Sequence, residues 1–129
     1  HKNENLFKHL DNKVAVIIST HHPVGIDIEI NAVKWEVAQR FYHANEMSIL
    51  QTLPPMQRNI IAKLLWQIKE SFIKVFQYKL AQGLGKDYSY LIADLISGAT
   101  SKSPLLDIND NKSNYRIALL YFQQTVIVY

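Results

Sequence analysis

Trp66-Gln67-Ile68-Lys69-Glu70-Ser71-Phe72-Ile73-Lys74 is the stretch whose reading decides the fold. It lies inside the longest helical pattern of the chain, which runs from Pro55 to Tyr78. At about 100° per residue, Ile61, Leu64, Leu65, Ile68, Phe72, Val75 and Phe76 fall on one broad apolar arc. Glu70 lies nearly opposite, with Lys63, Gln67 and Lys74 beside it. Trp66 and Ile73 add apolar bulk to one flank of that polar stripe. Lys69 projects near the edge of the apolar arc, where an ammonium must snorkel or find a partner. The pattern predicts a long helix covered on two sides, with Glu70 facing something other than bulk water. The competing reading makes Glu70 and Lys74 a solvated i,i+4 pair worth roughly 0.3 kcal/mol.

A second stretch upstream bears on that choice: Val24-Gly25-Ile26-Asp27-Ile28-Glu29-Ile30. Residues two apart on a strand share a face, so Asp27 and Glu29 point together while Ile26, Ile28 and Ile30 point the other way. Neighbouring carboxylates repel unless water, a base or a cation separates them. A third acid brought by the helix, Glu70, would complete an oxygen-rich site suited to magnesium.

The two stretches together carry a resemblance. Gly25-Ile26-Asp27-Ile28-Glu29, followed roughly forty residues later by Trp66-x-x-Lys69-Glu70-Ser71-x-x-Lys74, resembles the signature of the 4'-phosphopantetheinyl transferases. The likeness is to the second half of the surfactin-synthetase-activating type, from about His9 to the C-terminus. Between the motifs, Arg40-Phe41 and Glu46 resemble that family's Arg-Phe…Glu element. The resemblance implies transfer of 4'-phosphopantetheine from coenzyme A to a serine of an apo acyl or peptidyl carrier protein, with release of 3',5'-ADP. It implies magnesium held by Asp27, Glu29 and Glu70, with Glu70 activating the serine hydroxyl directly or through a metal-bound water and Lys74 in reach of the phosphates. Lys69 is then either the acid that serves the leaving phosphate or a structural partner. In the family a histidine just before the first strand contacts a coenzyme A phosphate, and His9 falls at that place. Its neighbours Lys8 and Leu10 replace the family's hydroxyl residues. On its own residues His9 reads as a surface histidine, since nothing buries it.

The rest of the chain reads as follows. Residues 1–12 form a flexible arm. Val14–Ile18 and Val24–Ile30 are strands of a hairpin, with His21 and His22 solvated in the turn before Pro23. Ala32–Phe41 is a short helix capped by Asn31, and Asn45–Leu53 a second one capped by Asn45 and stopped by Pro54-Pro55. Glu46, in its first turn, suits the helix dipole. Leu80–Gly85 is a glycine-bearing loop without the pattern of a nucleotide P-loop. Tyr88–Ile96 reads as a strand or a short helix, the alternation of Tyr88, Tyr90 and Ile92 favouring the strand. Loops then surround a short strand at Leu105–Ile108, and Tyr115–Phe122 with Thr125–Tyr129 close a hairpin through Gln123-Gln124. Hairpin, helices, then strands predict one α+β domain over residues 1–129, a mainly antiparallel sheet packed against a long helix.

Composition narrows the function classes. The 129 residues are 48% hydrophobic and 19% charged, enough for one ordinary core. There is no cysteine, which excludes disulfides, zinc–thiolate sites and thiol nucleophiles and fits a cytoplasmic location. No apolar run approaches the roughly 20 residues that span a bilayer, so no membrane partner is expected. A net charge of +3 without a Lys/Arg run argues against nucleic acid and suits an acidic partner or a phosphorylated ligand. Coenzyme A needs a cleft with two walls, and one such unit supplies only the acid wall. A homodimer or homotrimer is therefore expected, with Trp66 and Ile73 on the covered flank. The alternatives are a fragment or degenerate copy that binds coenzyme A weakly, and a non-catalytic module for carrier protein or nucleic acid.

Overall fold

The computed structural model describes residues 4–10, 13–19, 22–101 and 103–129, the first two segments as backbone. Helix α3 (Pro55–Phe76) runs through the middle of the fold. It starts with a proline at its first position, where a missing N–H costs nothing, and ends at Gln77 in the left-handed region at φ 58°. Its predicted arc is real: Ile61, Leu65, Ile68, Phe72 and Val75 are buried in one core with Leu95, Ile117 and Val126. Leu64 is half-buried, and Phe76 is largely exposed at the helix end.

The sheet beneath this helix is antiparallel, in the order β3-β6-β5-β4. Its strands are β3 (Gly25–Ile28), β4 (Leu105–Asp110), β5 (Tyr115–Leu120) and β6 (Thr125–Val128). The closing hairpin was legible, with β5 and β6 paired from Leu120↔Thr125 to Ile117↔Val128. Its turn is a 3-10 helix at Tyr121–Gln123 followed by Gln124 at φ 49°. The expected α+β architecture therefore holds.

The expected pairing of the first strands does not hold. Strand β2 (Lys13–Ser19) pairs with β1 (Glu4–Leu10), inside the stretch read as an arm. β3 pairs instead with β6, Gly25 opposite Val128 and Asp27 opposite Val126. Nothing local announces a partner roughly a hundred residues away. The ends of the arm, residues 1–3 and 11–12, lie outside the described residues, as does His21.

The connecting segment is more helical than its sequence suggested. α1 (Trp35–Phe41) begins later than expected, from Lys34 instead of Asn31, with no side-chain cap. α2 (Ala44–Leu50) is capped by His43, not Asn45: His43 Nδ1 accepts from the Asn45 N–H, and Glu46 Oε1 accepts from the His43 N–H. Leu80–Leu84 is a short helix, α4, where a loop was expected. The expected strand at Tyr88–Ile96 is instead a 3-10 turn, Ser89–Leu91, leading into α5 (Ile92–Ser101). Leu91, Ile92 and Leu95 are buried there, a helical spacing that outweighs a three-residue alternation. α4 and α5 both pack against α3.

Candidate active site

The site is built where β3 meets α3. A Cβ on Gly25 would stand 2.1 Å from the Ser71 carbonyl oxygen, so only glycine lets the strand run this close to the helix. That approach puts the alternate residue, Asp27, under α3 with its side chain fully buried.

A polar row along α3 ties the helix to the sheet's carbonyls. Gln67 Nε2 donates to Gln124 O at 2.7 Å and to Asp27 O at 3.4 Å. Ser71 Oγ donates to Val126 O at 3.5 Å, and Lys74 Nζ donates to Ile26 O. Lys74 Nζ also stands 3.9 Å from Asp27 Oδ1. Gln67, Ser71 and Lys74 recur at i, i+4 and i+7, so they share a face, and Glu70 lies about 60° around the helix from Gln67. Glu70 is half-buried, as its position beside a covered stripe predicts. Its charge is felt at the Tyr42 phenol, whose pKa burial raises first, then Glu46, then Glu70.

Glu29 follows just after β3, and its N–H still donates to Gln124 O at 3.1 Å. Its Oε2 accepts from the Asn31 N–H at 3.3 Å. Burial pulls the Lys63 ammonium below the usual lysine range, and the charge of Glu29 opposes that fall. Glu29 also lines a cleft of about 230 Å³ with Val33, Lys34, Val37 and Trp66. Trp66 is thus half-buried beside an acid, while Ile73 packs on Gly83 of the same chain.

Asp27, Glu29 and Glu70 stand on adjoining elements. Among the described residues, though, no three His, Cys, Asp or Glu side chains are gathered closely enough to hold a metal ion. The donor chemistry fits a hard cation, since all three are carboxylates. Lys74 is the cation found beside Asp27 in this structure.

Lys69 is elsewhere. Its side chain is fully buried, its ammonium 2.7 Å from Glu46 Oε1 and 2.6 Å from the Lys86 carbonyl. The rings of Tyr42 and Tyr88 lie 4.8 Å and 5.2 Å from the ammonium. Burial lowers the Lys69 pKa, and Glu46 opposes that shift. Glu46 is the residue that sequence reasoning undervalued. Beyond capping α2 it accepts from the Tyr88 N–H at 2.8 Å, joining three segments. The signal was the His43-x-x-Glu46 spacing of a capping box. Gln67 had no signal beyond its place in the polar stripe. His9 sits in β1 opposite Val14, and its side chain lies outside the described residues.

The sequence is similar to known proteins over most of its length. Residues 23–123 match the model of the 4'-phosphopantetheinyl transferase superfamily. A 4'-phosphopantetheinyl transferase of Aneurinibacillus migulanus is 43% identical over 67 residues, 51% of this chain and 28% of that protein. Another, from Bacillus pumilus, is 36% identical over 73 residues, 56% of this chain and 31% of that protein. A third relative, from Synechocystis, is 27% identical over 126 residues, covering 88% of this chain and 51% of its own length. The chain thus spans about half or less of the curated relatives it matches. No solved structure matches it. Among the described residues no helix is long and apolar enough to cross a membrane.

Proposed function

This chain belongs to the 4'-phosphopantetheinyl transferase superfamily, and from that premise we propose that it transfers 4'-phosphopantetheine from coenzyme A to a serine of an apo acyl or peptidyl carrier protein. The observation that carries the reading is a buried carboxylate, Asp27, held under α3 beside Lys74.

In the reaction the serine oxygen forms a bond to the phosphorus that carries pantetheine. The bond from that phosphorus to the bridging oxygen breaks, and 3',5'-ADP leaves with the electron pair. Glu70 accepts the serine proton, a role supported by a half-buried carboxylate one turn from Lys74 on α3. Lys74 turns its ammonium to the pyrophosphate, where negative charge grows as the bond breaks. Asp27, Glu29 and Glu70 supply the oxygen donors that magnesium takes, and the bound ion would offset the same charge. His9 is assigned to a coenzyme A phosphate. Of the two roles open to Lys69, its burial on Glu46 supports the structural one: it holds α2 and the residue 86–88 segment against α3, next to Glu70.

A second reading has its own support. The chain spans half or less of its relatives, and coenzyme A takes a cleft with two walls; in this reading the second wall comes from another copy or another segment. Without it, the unit binds coenzyme A or carrier protein weakly and does not turn over.

Calorimetric titration of coenzyme A with and without magnesium tests the proposal. Binding should need magnesium and disappear in Asp27→Ala. Binding that ignores both would refute it.

A further inference from the structure

We propose that Lys74 is an exchangeable counter-ion. It neutralises Asp27 while the site is empty, and a divalent cation displaces it toward the substrate's pyrophosphate. The inference rests on the reading of Asp27 as a cation ligand given above.

Asp27 is fully buried, and a buried carboxylate needs a compensating charge. The Lys74 ammonium lies 3.9 Å from its Oδ1 and donates to the neighbouring Ile26 carbonyl. Two cations cannot share this place. At about 4 Å like charges repel strongly in a partly desolvated setting, so an ion on Asp27 expels the ammonium. Lys74 is able to leave, because its side chain is 30% exposed while that of Asp27 is fully buried. Glu70, one turn before Lys74 on the same helix, is the acid that an incoming ion would then share with Asp27. Among the described residues the three carboxylates are not gathered into a cage. The ammonium beside Asp27 then becomes the one that meets the phosphates.

Exchange predicts opposite signs for two affinities. Removing the ammonium should help a bare cation and harm an anion that follows it. The test uses Mn2+ as a paramagnetic stand-in for Mg2+, and inorganic pyrophosphate as the anion. Lys74→Met and Lys74→Gln should each bind Mn2+ roughly tenfold more tightly than the unaltered chain. At saturating Mn2+, both should bind pyrophosphate roughly tenfold more weakly. Lys74→Gln keeps a donor for Ile26 O, so it guards against a loss of fold in Lys74→Met. Lys79→Met, which removes an exposed charge at the start of α4, should change either affinity less than about twofold. Lys74 variants that bind Mn2+ no more tightly than Lys79→Met would overturn the exchange. Adding Asp27→Asn to Lys74→Met separates the two levels of the account. Undiminished Mn2+ binding in that double variant would place the cation away from Asp27 and overturn the site reading as well.

Discussion

Lys69 and Glu46 form an ion pair of 2.7 Å in which neither side chain has any exposure to solvent. Removing one partner strands a buried charge and strips the capping box or the Lys86 carbonyl of its bond. Lys69→Met and Glu46→Gln should each cost about 3–5 kcal/mol, read by urea denaturation. The cost should be non-additive in the double variant, because both changes break the same contact. A loss under about 1 kcal/mol in either single variant would mean the pair is solvated.

Gly25→Ala should disturb the site by backbone sterics alone. The added Cβ meets the Ser71 carbonyl at 2.1 Å, and neither backbone can turn aside as a side chain would. We expect a loss of about 1–3 kcal/mol, seen as a lower thermal midpoint, together with weakened magnesium-dependent coenzyme A binding. Wild-type behaviour on both counts would show that the strand and helix are not this close in solution.

Gln67→Leu keeps the volume of a side chain only 1% exposed but removes the donor to the Asp27 and Gln124 carbonyls. Both carbonyls keep a backbone partner, Gln124 O the Glu29 N–H and Asp27 O its place in the β3–β6 ladder opposite Val126, so the cost is that of the lost tie between helix and sheet. The expected loss is about 1–2 kcal/mol. Amide hydrogen exchange should quicken along β3 more than along β5. Uniform protection across the sheet would argue against a local tie.

Asp87 gives a pH signature. Burial pushes its carboxyl up, but the Ser89 N–H, the Asn45 amide and His43 outweigh that and hold it at about 2, below the ordinary 3.8. A depressed folded-state pKa adds stability above the unfolded value, and that stability is lost as pH falls from about 4 to about 2. In Asp87→Asn the fall in urea midpoint across this window should be shallower than in the unaltered chain. An unchanged slope would assign the acid sensitivity to other carboxylates.

How much of this was legible in the sequence depended on how local each feature is. α3 could be read because seven apolar residues keep one period over about four turns, and burial follows that arc from Ile61 to Val75. Asp27, Glu29 and Glu70 could be singled out because strand and helix periods assign faces without knowledge of the fold. The partner of β3 could not be read. Val24–Ile30 carries apolar residues that would pair with any strand, and its true partner, Thr125–Val128, is set by long-range packing. Tyr88–Ile96 misled for a related reason: two tyrosines and an isoleucine alternate by chance, while Leu91, Ile92 and Leu95 follow the helix that forms. Lys69 was ambiguous because its position on the helical wheel shows that it needs a partner but not which one. Glu46, roughly twenty residues earlier, supplies the answer only in three dimensions.

The central claim is that this unit moves phosphopantetheine with the acids of β3 and α3. The most direct measurement is the intact mass of an apo carrier protein after incubation with the chain, coenzyme A and magnesium, beside the Asp27→Ala and Glu70→Gln chains. The account predicts a gain of one phosphopantetheinyl group, matched mole for mole by 3',5'-ADP and absent with either variant. A carrier that stays unmodified with a folded chain would contradict the account, and so would a gain that survives Asp27→Ala.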